Sequence, residues 1–352
     1  MTSVAVPVSE PVPRGIDEVT APWLTEALGA QVTAVRAERI ALDTGFSAAL
    51  YRIHLSGSDY VPKTLIVKLP ADSLARGGME MLGGYRRELY FYRHVAPDAP
   101  MATPRCYVAR MSGPDFVLVL EDLQDWENAD HLAGLSLPRA RLCIEQLAGL
   151  HTWSAGVDGA VLQEFPSIDS PMTRDLFLPA FTPGWQLYRE HTRQPVPPAV
   201  AAFAERFAEL APAALGALSD RNMLLHGDIR ADNMFFRDDA LKVVDFQLTV
   251  RGAGAADIAY LVSQGLPTEV RHGRDAELLR EYVSQVDGYL FDEAWRHYRF
   301  ATALLLYMPV VALLTWDVAP ERSRQLCLTL IDRAVAAIED IDALEVFHEE
   351  RP

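Results

Sequence analysis

The segment around Asp228 places more reactive polar groups close together than any other part of this chain of 352 residues. It reads His-Gly-Asp228-Ile-Arg-Ala-Asp-Asn233, and an apolar stretch then leads to Asp245. Residues 234–237 and 241–244 predict two short strands around a polar turn. Such a hairpin would bring Asp245 back toward Asn233. The spacing therefore predicts that three oxygen-bearing side chains converge at one end of a hairpin.

The Asp-x-x-x-x-Asn spacing is typical of the catalytic loop of kinases, where the Asp accepts a hydroxyl proton and the Asn binds a metal ion. Asp228 is then the candidate base, and Asn233 and Asp245 are the candidate magnesium ligands. Arg230 would neutralise charge on the transferred phosphoryl group. Each element alone is common in turns and at strand ends. Their joint order and spacing favour an ATP- and Mg²⁺-dependent phosphoryl transfer.

These residues resemble the aminoglycoside phosphotransferase-like kinases, whose catalytic loop is a His-Gly-Asp version of the protein-kinase loop. Asp245-Phe-Gln, followed by Asp257-Ile-Ala-Tyr-Leu, is most similar to the branch with ecdysteroid kinase-like and choline kinase-like proteins. The resemblance implies an α+β, bilobal protein-kinase-like fold: an N-lobe of antiparallel sheet plus helix, and a larger, mostly helical C-lobe. Gln247 replaces the glycine of protein kinases. Because glycine adopts positive φ most easily, we expect a metal loop that switches less readily, which is typical of a metabolic enzyme.

A predicted hairpin upstream of the motif suits a loop that covers phosphates. Residues 39–55 predict strand, turn and strand, with Gly45, Phe46 and Ser47 at the turn. Backbone N–H groups at such a turn can bind phosphate oxygens. The turn lacks a full Gly-x-Gly-x-x-Gly pattern, so a hairpin without any nucleotide is an equally good interpretation of these residues alone.

Lys68 ends the next apolar strand, as expected of a lysine that binds the α- and β-phosphates. Glu88 follows within a helical pattern and is the predicted partner of the ammonium group, with Glu80 as the second choice. Without this context the lysine would simply be solvated. A further apolar strand ends at Glu121. The resemblance implies that the main chain of Glu121 and Leu123 form the hinge that contacts adenine, although the acidic residues there could equally be a solvated strand exit.

Two polar residues in apolar helical patterns have structural interpretations. Asp257 begins a predicted helix, which it would cap, and bracing of the catalytic loop is a second role for it. His151 lies in a pattern that predicts a packed helix. Neither belongs to the predicted catalytic set.

The element pattern predicts three parts along the chain. They are a loose N-terminal arm over residues 1–14, a nucleotide-binding lobe over 15–123, and a lobe with the catalytic loop and the acceptor site over 124–352. The most apolar stretch, residues 300–316, is short for a membrane span and contains Pro309. It predicts a kinked core helix.

Composition and net charge argue against several classes of partner and site. A formal net charge of −16 disfavours binding to nucleic acid, which depends on basic surface, and to anionic membranes. Three widely separated cysteines argue against a disulfide framework or a zinc cluster. No basic segment followed by an apolar core begins the sequence, so we expect a cytoplasmic protein. Its oligomeric state cannot be predicted from these features.

The acceptor is the least constrained part of the prediction. Large apolar side chains in the C-lobe suit an apolar alcohol where they face the site, namely Phe177, Phe181, Trp185, Tyr188, Tyr298, Tyr307, Met308 and Trp316. The acidic balance would instead suit a cationic aminoglycoside. We predict a kinase that phosphorylates a hydroxyl group of a small hydroxylated metabolite or natural product. An aminoglycoside O-phosphotransferase is the alternative, followed by a non-catalytic, pseudokinase-like binding scaffold.

Overall fold

The computed structural model describes residues 12–40, 48–71 and 74–349. The chain divides into an N-terminal unit, Met1–Arg93 with Pro104–Leu123, and a C-terminal unit, His94–Thr103 with Gln124–Pro352. The first is built on an antiparallel sheet and the second mainly on helices. The predicted α+β fold class is confirmed.

Five antiparallel strands and three α-helices form the described part of the N-terminal unit. The elements are β1 Val32–Ile40, β2 Ala48–Gly57, β3 Thr64–Pro70, β4 Cys106–Ser112, β5 Asp115–Glu121, α1 Ala21–Leu28, α2 Leu74–Met81 and α3 Gly84–His94. The strand order is β1-β2-β3-β5-β4.

Strand β3 separates two apolar clusters because successive side chains of a strand point to opposite faces. Leu65, Val67 and Leu69 pack in one cluster with Trp23 of α1. On the other face of the sheet, α3 contributes to a second cluster through Tyr85 and Leu89, which pack with Ala48 and Phe116. Lying between Val67 and Leu69, Lys68 therefore points toward the face that α3 covers.

The C-terminal unit is a helical bundle with small sheets. Its helices are α4 Leu137–Gly156, α5 Gly159–Leu162, α6 Leu178–His191, α7 Pro198–Glu205, α8 Phe207–Leu218, α9 Ala255–Gly265, α10 Thr268–Arg271, α11 Asp275–Val283, α12 Phe291–Leu304, α13 Tyr307–Ala312, α14 Glu321–Asp340 and α15 Val346–Glu349. Its strands are β6 Glu127–Asn128, β7 Met223–Leu225, β8 Met234–Arg237, β9 Ala240–Val243 and β10 Val250–Gly252. Every residue of α9 is buried. An apolar surface all round a helix is typical of a central core helix, and α9 packs against α4, α12 and α14.

The predicted hairpin after the candidate catalytic loop is confirmed. Strands β8 and β9 pair with Met234 opposite Val243 and Arg237 opposite Ala240. Asp238, in the turn, has φ 52°. The N–H of Val244 donates to the carbonyl oxygen of Asn233 at 3.0 Å. This bond brings the residue before Asp245 beside Asn233.

The apolar stretch around Pro309 forms two helices instead of one kinked helix. Helix α12 ends at Leu304 and α13 begins at Tyr307. Pro309 is the third residue of α13, where its missing N–H removes no helical hydrogen bond. Phe291–Thr315 as a whole is long and apolar enough to cross a membrane, but 61% of its most apolar window is buried inside the structure. That burial is typical of a core helix.

Candidate active site

The main chain of the His-Gly-Asp loop is held by Asp257 of α9. Its Oδ2 accepts the N–H of His226 at 2.7 Å, and its Oδ1 accepts the N–H of Gly227 at 3.0 Å. The predicted cap is wrong, because Gly254 is the N-cap and Asp257 lies within the first turn of the helix. Loop bracing, the second predicted role, is what the geometry shows.

His151 of α4 supports the same carboxylate. Its Nε2 lies 3.2 Å from Oδ2 of Asp257, and its Nδ1 lies 2.8 Å from the hydroxyl of Tyr282. If Nε2 donates to Asp257, Nδ1 accepts from Tyr282. Sequence reasoning assigned His151 only to packing. The available signal was an imidazole on a buried helix face, where a polar group must find partners.

His226 links the loop to the hairpin. Its Nδ1 accepts the N–H of Asp228 at 3.2 Å, so the neutral ring carries its proton on Nε2. That proton is donated to the carbonyl oxygen of Val244 at 3.1 Å. His226 thus shapes the loop through hydrogen bonds.

His131 contacts the loop at Ala231 and Asp232. The sequence analysis did not identify it. Its ring Nδ1 accepts the main-chain N–H of Ala231 at 2.9 Å, and the main-chain N–H of His131 donates to Oδ1 of Asp232 at 3.0 Å. Burial lowers the pKa of His131 well below 6.5, and the charges of Arg230 and Arg333 add to this shift. The ring therefore stays neutral and can accept. Arg333 also donates to the His131 carbonyl oxygen at 3.0 Å.

Asp228 is a largely buried carboxylate with three neighbours. Arg230 forms an ion pair with it, Nε to Oδ1 at 3.2 Å, and the hydroxyl of Tyr260 lies 3.5 Å from the same oxygen. The side-chain nitrogen of Asn233 lies 2.9 Å from the Asp228 carbonyl oxygen and 3.4 Å from Oδ2. Burial raises the pKa of Asp228; Arg230 opposes this shift and the charge of Asp245 adds to it. The site thus holds a carboxylate of increased basicity.

Asn233 and Asp245 suit a magnesium ion by their chemistry. Because the Asn233 nitrogen bonds to Asp228, its side-chain oxygen is the remaining ligand atom. Asp245 has φ 68° and lies one residue beyond the bond that ties Val244 to Asn233. Magnesium is commonly held by one or two side-chain oxygens with phosphates and water. Within the described ranges, no three His, Cys, Asp or Glu side chains group as a metal site.

The structure gives the backbone of Asp-Phe-Gln in one form. Positive φ occurs at Asp245, whereas Gln247 is buried and is not among the residues with positive φ. The expectation that this loop switches less readily stays a prediction.

Lys68 and Glu88 form the expected ion pair in the N-terminal unit. Nζ of Lys68 lies 2.8 Å from the carboxylate of Glu88, and the side chains are 8% and 1% exposed. Glu80, the second choice, instead pairs with Arg76 at 2.6 Å. The role of Lys68 in nucleotide binding stays a prediction.

The predicted hinge follows strand β5. The N–H of Glu121 donates to the carbonyl oxygen of Arg105 at 2.8 Å, so a hinge contact by Glu121 would have to use its carbonyl oxygen. The solvated strand exit is wrong for Asp122, whose side chain is 2% exposed and accepts two bonds from Arg52 at 2.7 and 3.2 Å. Leu123 is buried.

Two predictions fall outside the described residues. The phosphate-covering turn with Gly45, Phe46 and Ser47 is one, and most of the N-terminal arm is the other. Both stay predictions. Val12, inside the described part, packs against the cluster that contains Trp23.

The structure separates the eight candidate acceptor-side residues into two groups. Four are buried core residues, namely Phe181, Trp185, Tyr188 and Tyr298. Four are half-buried, namely Phe177, Tyr307, Met308 and Trp316. Tyr260, whose hydroxyl lies 3.5 Å from the candidate base Asp228, was missed, because its place in an apolar helix gives no sign of which way the ring points.

Replacing Glu88 with Ala should lower the free energy of unfolding by about 3 kcal/mol, because it removes the carboxylate beside a buried ammonium group. Glu80→Ala is the matched control. Its loss should be about 0.5 kcal/mol, since the Arg76 pair is partly exposed. Urea denaturation of both variants measures the difference. Equal losses of stability in the two variants would show that breaking the buried pair of Lys68 costs no more than breaking the partly exposed pair of Arg76.

Comparison with known proteins identifies the family of the chain and structures with a similar fold. The model of the ecdysteroid kinase-like family matches residues 44–291, more than two thirds of the chain. Comparison with curated proteins gave no match. Among solved structures, the choline kinase of Cryptosporidium parvum is similar with a TM-score of 0.56 and 12% identity, over 88% of this chain and 90% of that one.

Two other structures show the same similarity. A choline/ethanolamine kinase family protein from Mesorhizobium loti has a TM-score of 0.52 and 15% identity, over 89% of this chain and 92% of its own. An aminoglycoside phosphotransferase in complex with GDP and kanamycin has a TM-score of 0.54 and 13% identity, over 91% and 97%. At these identities the similarity shows the shared fold. On the family match, the chain belongs to the ecdysteroid kinase-like family.

Proposed function

We propose that the chain is an ATP-dependent kinase that transfers the γ-phosphoryl group to a hydroxyl of a small hydroxylated metabolite or natural product. The environment of Asp228 supports this most directly. A largely buried carboxylate is contacted by Arg230, Tyr260 and Asn233. Its loop is fastened by Asp257 and His131. A fixed base beside a fixed cation suits phosphoryl transfer, which depends mainly on positioning and charge neutralisation.

In this mechanism the acceptor hydroxyl donates a hydrogen bond to Asp228. Its oxygen forms a bond to the γ-phosphorus while the bond from that phosphorus to the β,γ-bridging oxygen breaks. ADP leaves, and the hydroxyl proton passes to Asp228. The guanidinium of Arg230 stabilises negative charge beside the base.

The residues assigned to nucleotide and metal binding belong to the same proposal. Lys68, oriented by Glu88, would bind phosphate oxygens, and the main chain of Glu121 and Leu123 would contact adenine. Asn233 and Asp245 would hold Mg²⁺, which when bound neutralises phosphate charge. Assigning nucleotide binding to the N-terminal unit and acceptor binding to the C-terminal unit belongs to this proposal, as does a cytoplasmic setting.

An aminoglycoside is the second candidate acceptor. One of the similar structures is an aminoglycoside phosphotransferase that contains kanamycin, although at 13% identity. Choline and ethanolamine belong in the same test, because other similar structures are kinases named for them. A small hydroxylated metabolite or natural product remains the preferred acceptor.

The test is ADP formation with Mg²⁺ and ATP against a panel of kanamycin, choline, ethanolamine and neutral hydroxylated natural products. We expect ADP formation with one acceptor class, and its loss when EDTA removes the metal ion. Mass spectrometry should then show a phosphate ester of the acceptor. If no acceptor stimulates ADP formation, this result would contradict the kinase assignment and favour a binding scaffold.

A further inference from the structure

We infer that Arg333 of α14 is a positioning residue for the candidate catalytic loop and acts on it through His131. The inference rests on the proposed function, since it concerns the loop that would carry the base and a metal ligand. It goes further by assigning a residue outside that loop, because the hydrogen bonds of Arg333 go to His131, Leu132 and Gln264.

A short segment before α4 is bonded to the second half of the loop. The ring of His131 accepts the N–H of Ala231 at 2.9 Å, and its main-chain N–H donates to Oδ1 of Asp232 at 3.0 Å. The side-chain nitrogen of Asn128 donates to the carbonyl oxygens of Asp232 at 2.9 Å and of Met234 at 3.1 Å. These bonds hold the residues on both sides of the candidate metal ligand in the loop.

Arg333 holds this segment from the side of α14. Its Nη1 donates to the carbonyl oxygen of His131 at 3.0 Å, and its Nη2 donates to that of Leu132 at 2.8 Å. Nη1 also lies 3.2 Å from the carbonyl oxygen of Gln264. Gln264 is the last residue but one of α9, where carbonyl groups have no partner within their own helix. One guanidinium thus joins the segment to the end of α9.

The two parts that Arg333 joins hold opposite halves of the loop. Helix α9 holds the first half through Asp257, which accepts the N–H groups of His226 and Gly227. The segment holds the second half through His131. A planar guanidinium presents its donors in a fixed geometry, so Arg333 fixes the two supports relative to each other. Without it, the second half of the loop should move relative to the first.

The cost of burying Arg333 also favours this role. The residue is 6% exposed, and among the described residues no carboxylate forms an ion pair with it. Burial lowers the pKa of Arg333, and the charges of Glu269 and Asp130 oppose this shift only in part. A well-packed apolar side chain would avoid the desolvation of a charge. The stability of the core therefore does not by itself favour an arginine here.

The test is amide hydrogen exchange of the wild type and of Arg333→Met, which removes the donors and keeps a long side chain. We expect peptides that cover residues 230–236 to exchange about tenfold faster in the variant, because their support is loosened. Arg333→Lys keeps the charge without the planar donors and should give an intermediate rate. It also serves if Arg333→Met does not fold. His131→Leu, which removes the acceptor of the Ala231 N–H, should speed the same peptides.

Arg271→Lys is the matched control. Arg271 is also buried and also bonds to α14, through Asp340. Its other bond goes to Asp275, and no hydrogen bond among the described residues leads from either carboxylate to the loop. Exchange of residues 230–236 should equal that of the wild type once it is corrected for the change in the free energy of unfolding, which urea denaturation gives.

A displaced loop should also lower kcat, by about tenfold to 10²-fold in Arg333→Met and by less in Arg333→Lys. The kcat of Arg271→Lys should equal that of the wild type. Two results would overturn the role of Arg333. One is equal corrected exchange of the loop in Arg333→Met and Arg271→Lys, and the other is faster exchange with unchanged kcat.

Hydrogen exchange needs neither ATP nor an acceptor, so it separates this inference from the proposed function. Faster loop exchange in Arg333→Met, in a chain whose wild type forms no ADP with any acceptor of the panel, would overturn the kinase assignment. The hold of Arg333 on the loop would then stand without it.

Discussion

Replacing Asp228 with Asn should lower kcat by about 10²- to 10⁴-fold, the range that general base catalysis contributes. The amide has nearly the shape of the carboxylate but cannot accept the hydroxyl proton. Lys68, Asn233 and Asp245 are unchanged, so the affinity for ATP should stay within about threefold of wild type. Steady-state ADP formation and calorimetric titration with ATP measure the two quantities.

Asp239→Asn is the matched control for this loss. Asp239 is exposed in the turn between β8 and β9, and its replacement makes the same change of charge and shape. Its kcat should equal that of the wild type. An Asp228→Asn variant that keeps full activity would show that another group accepts the proton. Loss of ATP binding together with turnover would show a structural effect of the substitution.

The parts of the site that could be predicted are those whose information is local in sequence. The hairpin that returns Asp245 toward Asn233 needs only two short strands and a polar turn. The ion pair of Lys68 with Glu88 spans 20 residues and follows from one strand and one helix. In both cases the periodicity of the elements determines which side chains meet.

The residues that the sequence analysis missed or misassigned bond to residues far away in the sequence. His131 bonds to Ala231 across 100 residues, and His151 bonds to Asp257 across 106. Such contacts depend on how helices pack, which periodicity does not specify. Periodicity identified Asp257 as the beginning of a helix, but it could not show that the carboxylate would turn toward a loop and not toward its own helix.

The same limit applies to the acceptor residues. Helical spacing marks Phe177 and Phe181 alike as large apolar side chains. Only packing shows that Phe181 lies between Phe207 and Trp185 in the core, with ring centroids 3.7 and 5.9 Å away, while Phe177 stays half-buried beside Tyr307. Four of eight aromatic or large apolar candidates could thus be set aside only after the fold was known.

Replacing Gly227 with Ala should destabilise the C-terminal unit by about 3–4 kcal/mol and also impair the base. Gly227 has φ 80°, and an added Cβ would lie 2.1 Å from the carbonyl oxygen of Leu248. The strained φ alone costs about 1–2 kcal/mol. Backbone cannot yield as a flexible side chain would, so the loop must move. Displacing Asp228 by about an ångström should cost roughly 10²-fold in kcat.

Gly273→Ala separates the strain of positive φ from the close contact with Leu248. Gly273 has φ 75°, but no atom lies within 4 Å of an added Cβ. It should cost only the strain of about 1–2 kcal/mol and leave kcat unchanged. Urea denaturation gives the free energy of unfolding, and kcat is measured where both variants are fully folded. The difference between the variants then measures the close approach of the loop to Leu248. If both variants lose equal stability, the close contact between the loop and Leu248 is relieved without cost. The loop would then be held less tightly than its hydrogen bonds to Asp257 indicate.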